Sequence, residues 1–317
     1  MSEAQERQTR SHLMRKFKEH GFHPRTHLGQ NFLIDINIVE YVVRSAELTR
    51  DDVVLEIGAG TGGMTTFMAR EAGHVISVEV DRDMHSLATQ AIAPYDNVTL
   101  LLTDALKNKN HFSPLVLDEI EKQLAVSPNR RLKLIANLPY SIATPVVSNL
   151  VATELPWVRM VVTIQYELGL RMQARKSQSH YGALSVWLQS QSDVEMIKQL
   201  GPTVFWPRPK VDSAIMLITP NEEKRAKIKD RAFFHSFARR LFGYRRKFIR
   251  SVLVGMFRKE LTKPQVDEVL AEMDIEHNVR AEQLDTPTIV DMATRFQDKI
   301  AAVNAVDEQE QPPVSHE

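Results

Sequence analysis

The chain has 317 residues, and its 40 Lys plus Arg balance its 40 Asp plus Glu. A net charge of zero gives no pointer to a polyanionic partner, so only the distribution of charge can carry such a reading. The absence of cysteine excludes disulfides, thiolate nucleophiles and Cys-ligated metal, and it fits a reducing compartment. The N-terminal MSEAQERQTR lacks the apolar centre of a secretory signal. Glu3 and Glu6 count against a mitochondrial presequence, despite the Arg7, Arg10, Arg15 and Lys16 that accompany them. No run approaches the length of apolar sequence that spans a bilayer, so no membrane is expected, and the cytoplasm is the expected setting.

Length suggests roughly two domains. Residues 1–24 read as an N-terminal extension, a short amphipathic helix closed by a turn at Gly21 and Pro24. Over residues 25–220, short β-rich runs alternate with helical spacing. The runs are VVLEI (53–57), HVISVEV (74–80), VTLLL (98–102), LKLIA (132–136) and RMVVTI (159–164). Between them Met64, Phe67 and Met68, and later Val146, Val147, Leu150 and Val151, fall at helical intervals. This alternation predicts a parallel, doubly wound, Rossmann-like α/β sheet. ALSVWLQ (183–189) and AIMLITP (214–220) are expected to add antiparallel strands at one edge. Composition shifts near Pro220, and residues 221–300 read as a smaller all-helical domain. Residues 301–317, which close with DEQEQPPVSHE from Asp307, read as a disordered tail. There is no internal repeat.

VVLEIGAGTGGMT places glycines 58, 60, 62 and 63 between a strand and a helix, where the backbone can approach a ligand and the helix offers free N–H groups. Gly58, Gly60 and Gly63 satisfy the dinucleotide pattern, with Glu79 or Asp81 as the acidic residue about twenty positions on. On this loop alone NAD and S-adenosyl-L-methionine are equally good ligands, and a tight turn packing a helix on a strand is the plain alternative. Asp104, in Thr103-Asp104-Ala105 after the third strand, can accept from an adenine amino group or can cap a helix. Glu56 precedes the first glycine, and a polar-aromatic cluster, HLGQNFL (27–33), precedes a helix capped by Asp35. Taken together these features favour S-adenosyl-L-methionine.

The fourth strand ends in Ala136-Asn137-Leu138-Pro139-Tyr140, which is either a turn or a site at the carboxyl ends of the strands, where open α/β sheets bind ligands. The N6 amine of adenine is a poor nucleophile because its lone pair is delocalised into the ring. Two acceptors, the Asn137 side-chain oxygen and the Leu138 carbonyl, can take its hydrogens and direct the lone pair at a methyl donor. Pro139 stiffens that peptide, and Tyr140 can stack on the purine. A second aromatic wall is expected from Phe205 and Trp206 in VFWPRPKVDS (204–213), although they could equally fill a core.

HLGQNFLID, VLEIGAGTGGMT, VEVDRDM, TDALK, ANLPYSIATP, HYGALSVWLQ and FWPRPKVDSA occur in this order over residues 21–220. In this set the chain resembles the ribosomal RNA adenine N6,N6-dimethyltransferase family, and most closely its small-subunit (16S) branch. The resemblance implies a class I methyltransferase domain with a small helical domain. It also implies transfer of methyls to two adjacent adenines near the 3′ end of 16S rRNA in the small ribosomal subunit. Carried over, it implies cofactor contacts at Asn31, Leu33, Gly58, Gly60, Glu79, Asp104 and Asn137. Target-side roles fall to Asn137, Leu138, Pro139, Tyr140 and Phe205, and no metal is implied. GAGTG stands where G-P-G-x-G is common, and Tyr166 stands where the family often has Lys.

Residues 239–250, RRLFGYRRKFIR, hold Arg239, Arg240, Arg245, Arg246, Lys247 and Arg250 without an acidic residue. Gly243-Tyr244 is expected to break two helices there, so that the cations form a phosphate clamp, although a solvated helix face would look similar. Competing readings are the 23S rRNA methyltransferase branch of macrolide resistance, a non-catalytic mitochondrial transcription-factor-like relative, and an NAD-dependent oxidoreductase. The last would need a hydride-site acid or base after the fourth strand, and none is evident. Nothing in the chain demands more than a monomer.

Overall fold

The computed structural model describes residues 10–22 and 30–310. In chain order these form α1 (Arg10–His20), β1 (Phe32–Leu33), α2 (Ile36–Ser45), β2 (Asp52–Ile57), α3 (Gly63–Glu71), β3 (His74–Glu79), α4 (Arg82–Ile92) and β4 (Val98–Leu102). A hairpin follows, β5 (Leu106–Asn108) and β6 (His111–Phe112), then α5 (Pro114–Leu124), β7 (Arg131–Asn137), α6 (Ala143–Ala152), β8 (Trp157–Gln165) and α7 (Tyr166–Gln173). The remainder comprises α8 (Ala183–Gln189), β9 (Ser192–Leu200), β10 (Phe205–Trp206), β11 (Ser213–Pro220), α9 (Glu222–Arg225), α10 (Arg231–Phe242), α11 (Ile249–Met256), α12 (Lys263–Glu272) and α13 (Thr286–Glu310).

The chain divides into two compact units, one running to Leu170 with Val194–Pro220 added, the other combining Arg171–Asp193 with the chain from Asn221. The first contains a seven-stranded sheet in the order β4-β3-β2-β7-β8-β11-β9. Strands β4, β3, β2, β7 and β8 are parallel, and β11 runs antiparallel to β8. Strand β2 is buried throughout, as expected of a parallel strand covered on both faces. The chain leaves β2 towards β3 and β4 on one side and later returns to β7 and β8 on the other. This reversal opens a crevice at the strands' carboxyl ends.

Two expectations about the sheet fail. ALSVWLQ is helix α8, not a strand, and Arg171–Asp193 belongs to the helical unit, so the expected 25–220 boundary does not hold. Its short, continuous apolar run fits either a buried strand or a buried helix. Ser185 Oγ accepts from Gly182 N at 3.2 Å at the helix start. The edge strand is instead β9, SDVEMIKQL, whose charged, partly exposed residues suit a sheet edge and hide the alternation that marks a half-buried strand. The segment expected as a separate extension contains α1, whose Phe17 is buried with Met84 and Leu87 of α4. Its turn residue Gly21 has φ +66°, and Pro24 lies outside the described residues. At the other end α13 continues to Glu310, through much of the segment expected to be disordered.

The helical unit packs around aromatic side chains: Phe257 stacks on Phe296 with centroids 5.0 Å apart and on Phe237 at 6.2 Å. Asp230 caps α10 by accepting from Phe233 N at 2.9 Å.

At the amino ends of β2 and β7, Lys133 Nζ donates to Asp52 Oδ2 at 2.8 Å and to the carbonyls of Ala46 and Glu47 at 3.0 and 2.7 Å. Asp52 also accepts from Thr49 N and Oγ1. Lys133→Ala leaves the buried carboxylate without its buried cation. Urea denaturation should show a loss of about 3 kcal/mol, at the low end of the range for broken buried pairs because the Thr49 donors remain.

Candidate active site

The cleft is built on the carboxyl ends of β2, β3, β4 and β7. Beyond β2 the chain turns through Gly58 (φ +86°) and Gly60 (φ +55°), conformations that side chains disfavour. Gly58 N and Ala59 N both donate to Val78 O, at 2.8 and 3.2 Å, which pins the loop to β3. A Cβ on Gly60 would lie 3.1 Å from the Phe32 ring, so glycine also permits the close approach of β1.

Glu79, at the end of β3, accepts from Gly60 N at 2.8 Å through Oε2, and from Val80 N and Asp81 N at 3.0 and 2.9 Å through Oε1. Burial raises its pKa, while these N–H groups oppose the shift. Asp81 caps α4 and accepts from Gln30 Nε2 at 2.9 Å, tying the segment before β1 to the rim. Asp104 is exposed and accepts from Leu106 N at 2.9 Å. It leads into the β5–β6 hairpin and so caps no helix.

Beneath the loop lies Glu56, 1 % exposed, whose Oε2 accepts from Thr65 Oγ1 at 2.5 Å and Ser77 Oγ at 2.6 Å. Burial is the main cause that pushes its pKa up to about 7; the hydroxyls oppose it and the charge of Glu79 adds to it.

At the end of β7, Asn137 Nδ2 donates to Asn31 O at 2.7 Å, so Oδ1 is the end of the amide left to accept. Leu138 N donates to Thr163 O at 3.1 Å, and Pro139 O accepts from Ile142 N at 3.0 Å. Between them, the Leu138 carbonyl takes no hydrogen bond from the described residues. The Tyr140 hydroxyl is 2.6 Å from Ser213 Oγ at the start of β11, which fixes the ring, and burial raises the phenol pKa.

Asn31, Gly58, Gly60, Glu79, Asp104, Asn137, Leu138, Pro139 and Tyr140 line one solvent-open cleft. Gln30 and Phe32, to which sequence reasoning gave no role, also line it. Two expected residues do not. Leu33 and Phe205 face each other in the β1–β10 ribbon, and both pack into the hydrophobic core, Phe205 with 3 % exposure. Trp206 is no wall either, since it stacks on Phe32. All three sit on an apolar two-stranded ribbon, where Leu33 and Phe205 are taken up by the core and Trp206 by Phe32. The cleft lining contains two carboxylates and, among the described residues, no Lys, Arg or His.

The basic segment divides. Helix α10 ends at Phe242 and α11 begins at Ile249, so the break falls where Gly243-Tyr244 was expected to place it. Arg240 donates to Met256 O and lies over the Phe257 ring. Arg245 donates to Ser179 O and Tyr181 O, and Arg250 pairs with Asp267 at 2.6 and 2.8 Å. These cations hold the helical unit together and do not form a free clamp. Arg239, Arg246 and Lys247 are exposed and form no ion pair with described residues; Lys247 Nζ lies 4.8 Å from the Tyr244 ring centroid.

Numbered by chain order within the sheet, the strands run 3-2-1-4-5-7-6, with the seventh antiparallel to the fifth. An all-parallel dinucleotide-binding sheet runs 3-2-1-4-5-6 instead. The inserted antiparallel strand, the glycine loop and the acid-rich cleft define a class I methyltransferase. The chain belongs to the ribosomal RNA adenine dimethylase family, whose model matches residues 21–296. It is 36 % identical over 281 residues to ribosomal RNA small subunit methyltransferase A of Pediococcus pentosaceus, covering 88 % of this chain and 92 % of that one. The Lactococcus lactis protein of the same name is 34 % identical, over 84 % of this chain and 88 % of its own. Among solved structures, a dimethyladenosine transferase from Plasmodium falciparum superposes with a TM-score of 0.70 at 23 % identity, over 84 % of this chain and 97 % of that one. The 23S rRNA methyltransferase ErmE does so at 0.59 and 21 %, over 84 % and 100 %. Both show the same fold.

Glu56 yields a test by pH. Its folded-state pKa lies above the unfolded value, so its stabilising contribution is full below about pH 4.5 and declines as pH rises through about 7. Glu56→Gln removes that dependence. Urea midpoints measured between pH 5 and 8 should fall in the parent chain relative to the variant as pH increases.

Proposed function

We propose that the protein transfers methyl groups from S-adenosyl-L-methionine to N6 of two adjacent adenines, in a loop near the 3′ end of 16S rRNA in the small ribosomal subunit. The family and the names of its similar relatives support the substrate. The observation that carries the chemistry is the Asn137 amide, held through Nδ2 by Asn31 O beside the uncommitted Leu138 carbonyl.

The cleft fits the cofactor. A sulfonium carries positive charge, and the wall offers carboxylates and amide oxygens with no described cation to repel it. When bound, S-adenosyl-L-methionine supplies an electrophilic methyl on that sulfur. Glu79 keeps acceptor capacity beyond its backbone N–H partners and suits the ribose hydroxyls, Asp104 suits the adenine amino group, and Asn31, Gly58 and Gly60 suit the methionine end.

On the target side, Asn137 Oδ1 and Leu138 O accept the two hydrogens of the amine and pyramidalise it. Tyr140, braced by Ser213, presents a ring on which the purine stacks, worth about 1–3 kcal/mol. The base is presented from a loop or flipped out of its stack. Orientation and preorganised dipoles then provide the rate, with no covalent enzyme intermediate. Arg239, Arg246 and Lys247 grip phosphates. No described helix is long and apolar enough to cross a membrane. A monomer working in the cytoplasm completes the proposal.

Incubation with radiolabelled S-adenosyl-L-methionine and unmethylated 30S particles should label two adjacent adenines near the 16S 3′ end. Label in 23S RNA instead would place the protein in the other branch. Asn137→Ala should lower kcat by about 10²–10³-fold, as for loss of an oriented polar group, with RNA affinity nearly unchanged in a filter-binding assay. Neutralising Arg239, Arg246 and Lys247 together should reduce the slope of log affinity against log salt by about 2, at roughly 0.7 per phosphate contact.

A further inference from the structure

Helix α1 precedes the stretch matched by the family, residues 21–296, yet its packing leads into the cleft. Phe17 is 3 % exposed. Its ring meets Phe32 edge-on with centroids 5.6 Å apart and Trp206 edge-on at 5.1 Å, while Phe32 and Trp206 stack at 6.2 Å. Each partner is committed to the site. Phe32 lines the cleft and closes on Gly60. The preceding residue supplies the carbonyl that holds the Asn137 amide. Trp206 pairs with Phe32 across the β1–β10 ribbon, and Ile34 N donates to Val204 O at 2.9 Å beside it. Each strand of that ribbon has two residues, and a two-stranded ribbon is at best marginal in water without cover.

We infer that α1 is a positioning element of the methyltransferase: Phe17 clamps Phe32 and Trp206 together, and so fixes the Asn31 carbonyl that aims the Asn137 amide. Without the clamp the ribbon loosens, the Asn31 carbonyl wanders, and the amide spends less time with Oδ1 towards the amine. Turnover falls, while RNA affinity, which resides in the cations of the helical unit, is retained. This inference rests on the reaction proposed above, but one of its readouts does not.

The experiment compares Phe17→Ala, Phe17→Leu and, as a control, Ile120→Ala, which truncates an equally buried side chain on α5. Phe17→Ala should lower kcat about tenfold, the scale of a sub-ångström misplacement, with KM for unmethylated 30S particles unchanged. Calorimetry should show weaker binding of S-adenosylhomocysteine, and hydrogen exchange at the amides of Phe32–Ile34 should quicken as local opening becomes easier. Phe17→Leu, which stays apolar but lacks the ring, should recover about half of both losses. Ile120→Ala should lower the melting temperature without moving kcat or that exchange. Parental kcat and parental exchange in folded Phe17→Ala would overturn the inference. If that variant does not fold, Phe17→Leu decides: kcat and exchange shifted part-way support the clamp, and values identical to the parent overturn it. Failure of the parent chain to methylate the particle would sink the proposed reaction alone, since the exchange readout would still judge the clamp.

Discussion

The hydrogen bond from Asn137 to the Asn31 carbonyl spans 106 residues of sequence and decides which end of an amide faces the cleft. An asparagine amide is nearly symmetric in shape, so packing alone cannot choose between its oxygen and its nitrogen. A backbone carbonyl can, because it accepts from one end only. The placement of β1, the glycine at position 60 that lets Phe32 approach, and the Gln30–Asp81 contact at the rim all serve to hold that carbonyl. The orientation of the Asn137 amide is thereby set by a short segment outside the main sheet, while the sheet supplies the fixed end of β7.

The electrostatic character of the cleft follows from the same economy. Both of its carboxylates accept from backbone amides, Glu79 from those of Gly60, Val80 and Asp81, and Asp104 from that of Leu106. Among the described residues that line the cleft, no Lys, Arg or His stands beside them. Such a wall suits a cationic ligand better than a pyrophosphate.

The parallel strands were legible in the sequence because burial on both faces leaves short, mostly apolar runs, and VVLEI and LKLIA, each with one buried charged residue (Glu56 or Lys133), fall inside β2 and β7. The cleft residues at Gly58, Glu79, Asp104 and Asn137 were legible because they occupy strand ends, where this topology puts ligands. The errors arose where local pattern is silent about partners. ALSVWLQ is apolar enough for either a strand or a helix, and Trp187 settles as a helical residue beside Phe234. Strand β9 hides its period behind Glu195, Lys198 and Gln199 at an edge. Phe205 and Leu33 carry motif positions but face the core, since their register in a two-residue ribbon decides which way they turn. The run RRLFGYRRKFIR shows six cations, yet only three-dimensional proximity reveals that Asp267, Ser179 and Met256 occupy half of them.

The excursion of the chain at Arg171–Asp193 constrains how this molecule can be taken apart. A fragment ending at Pro220 would keep α8 but lose α10, the helix whose Phe234 and His235 lie beside Trp187. That stranded helix would present Trp187 to water, an exposed aromatic of the kind that promotes self-association. A soluble catalytic half therefore calls for excision of the loop between Leu170 and Val194 as well as removal of the C-terminal part. Two distant stretches of the gene must also change in concert for the helical unit to be exchanged.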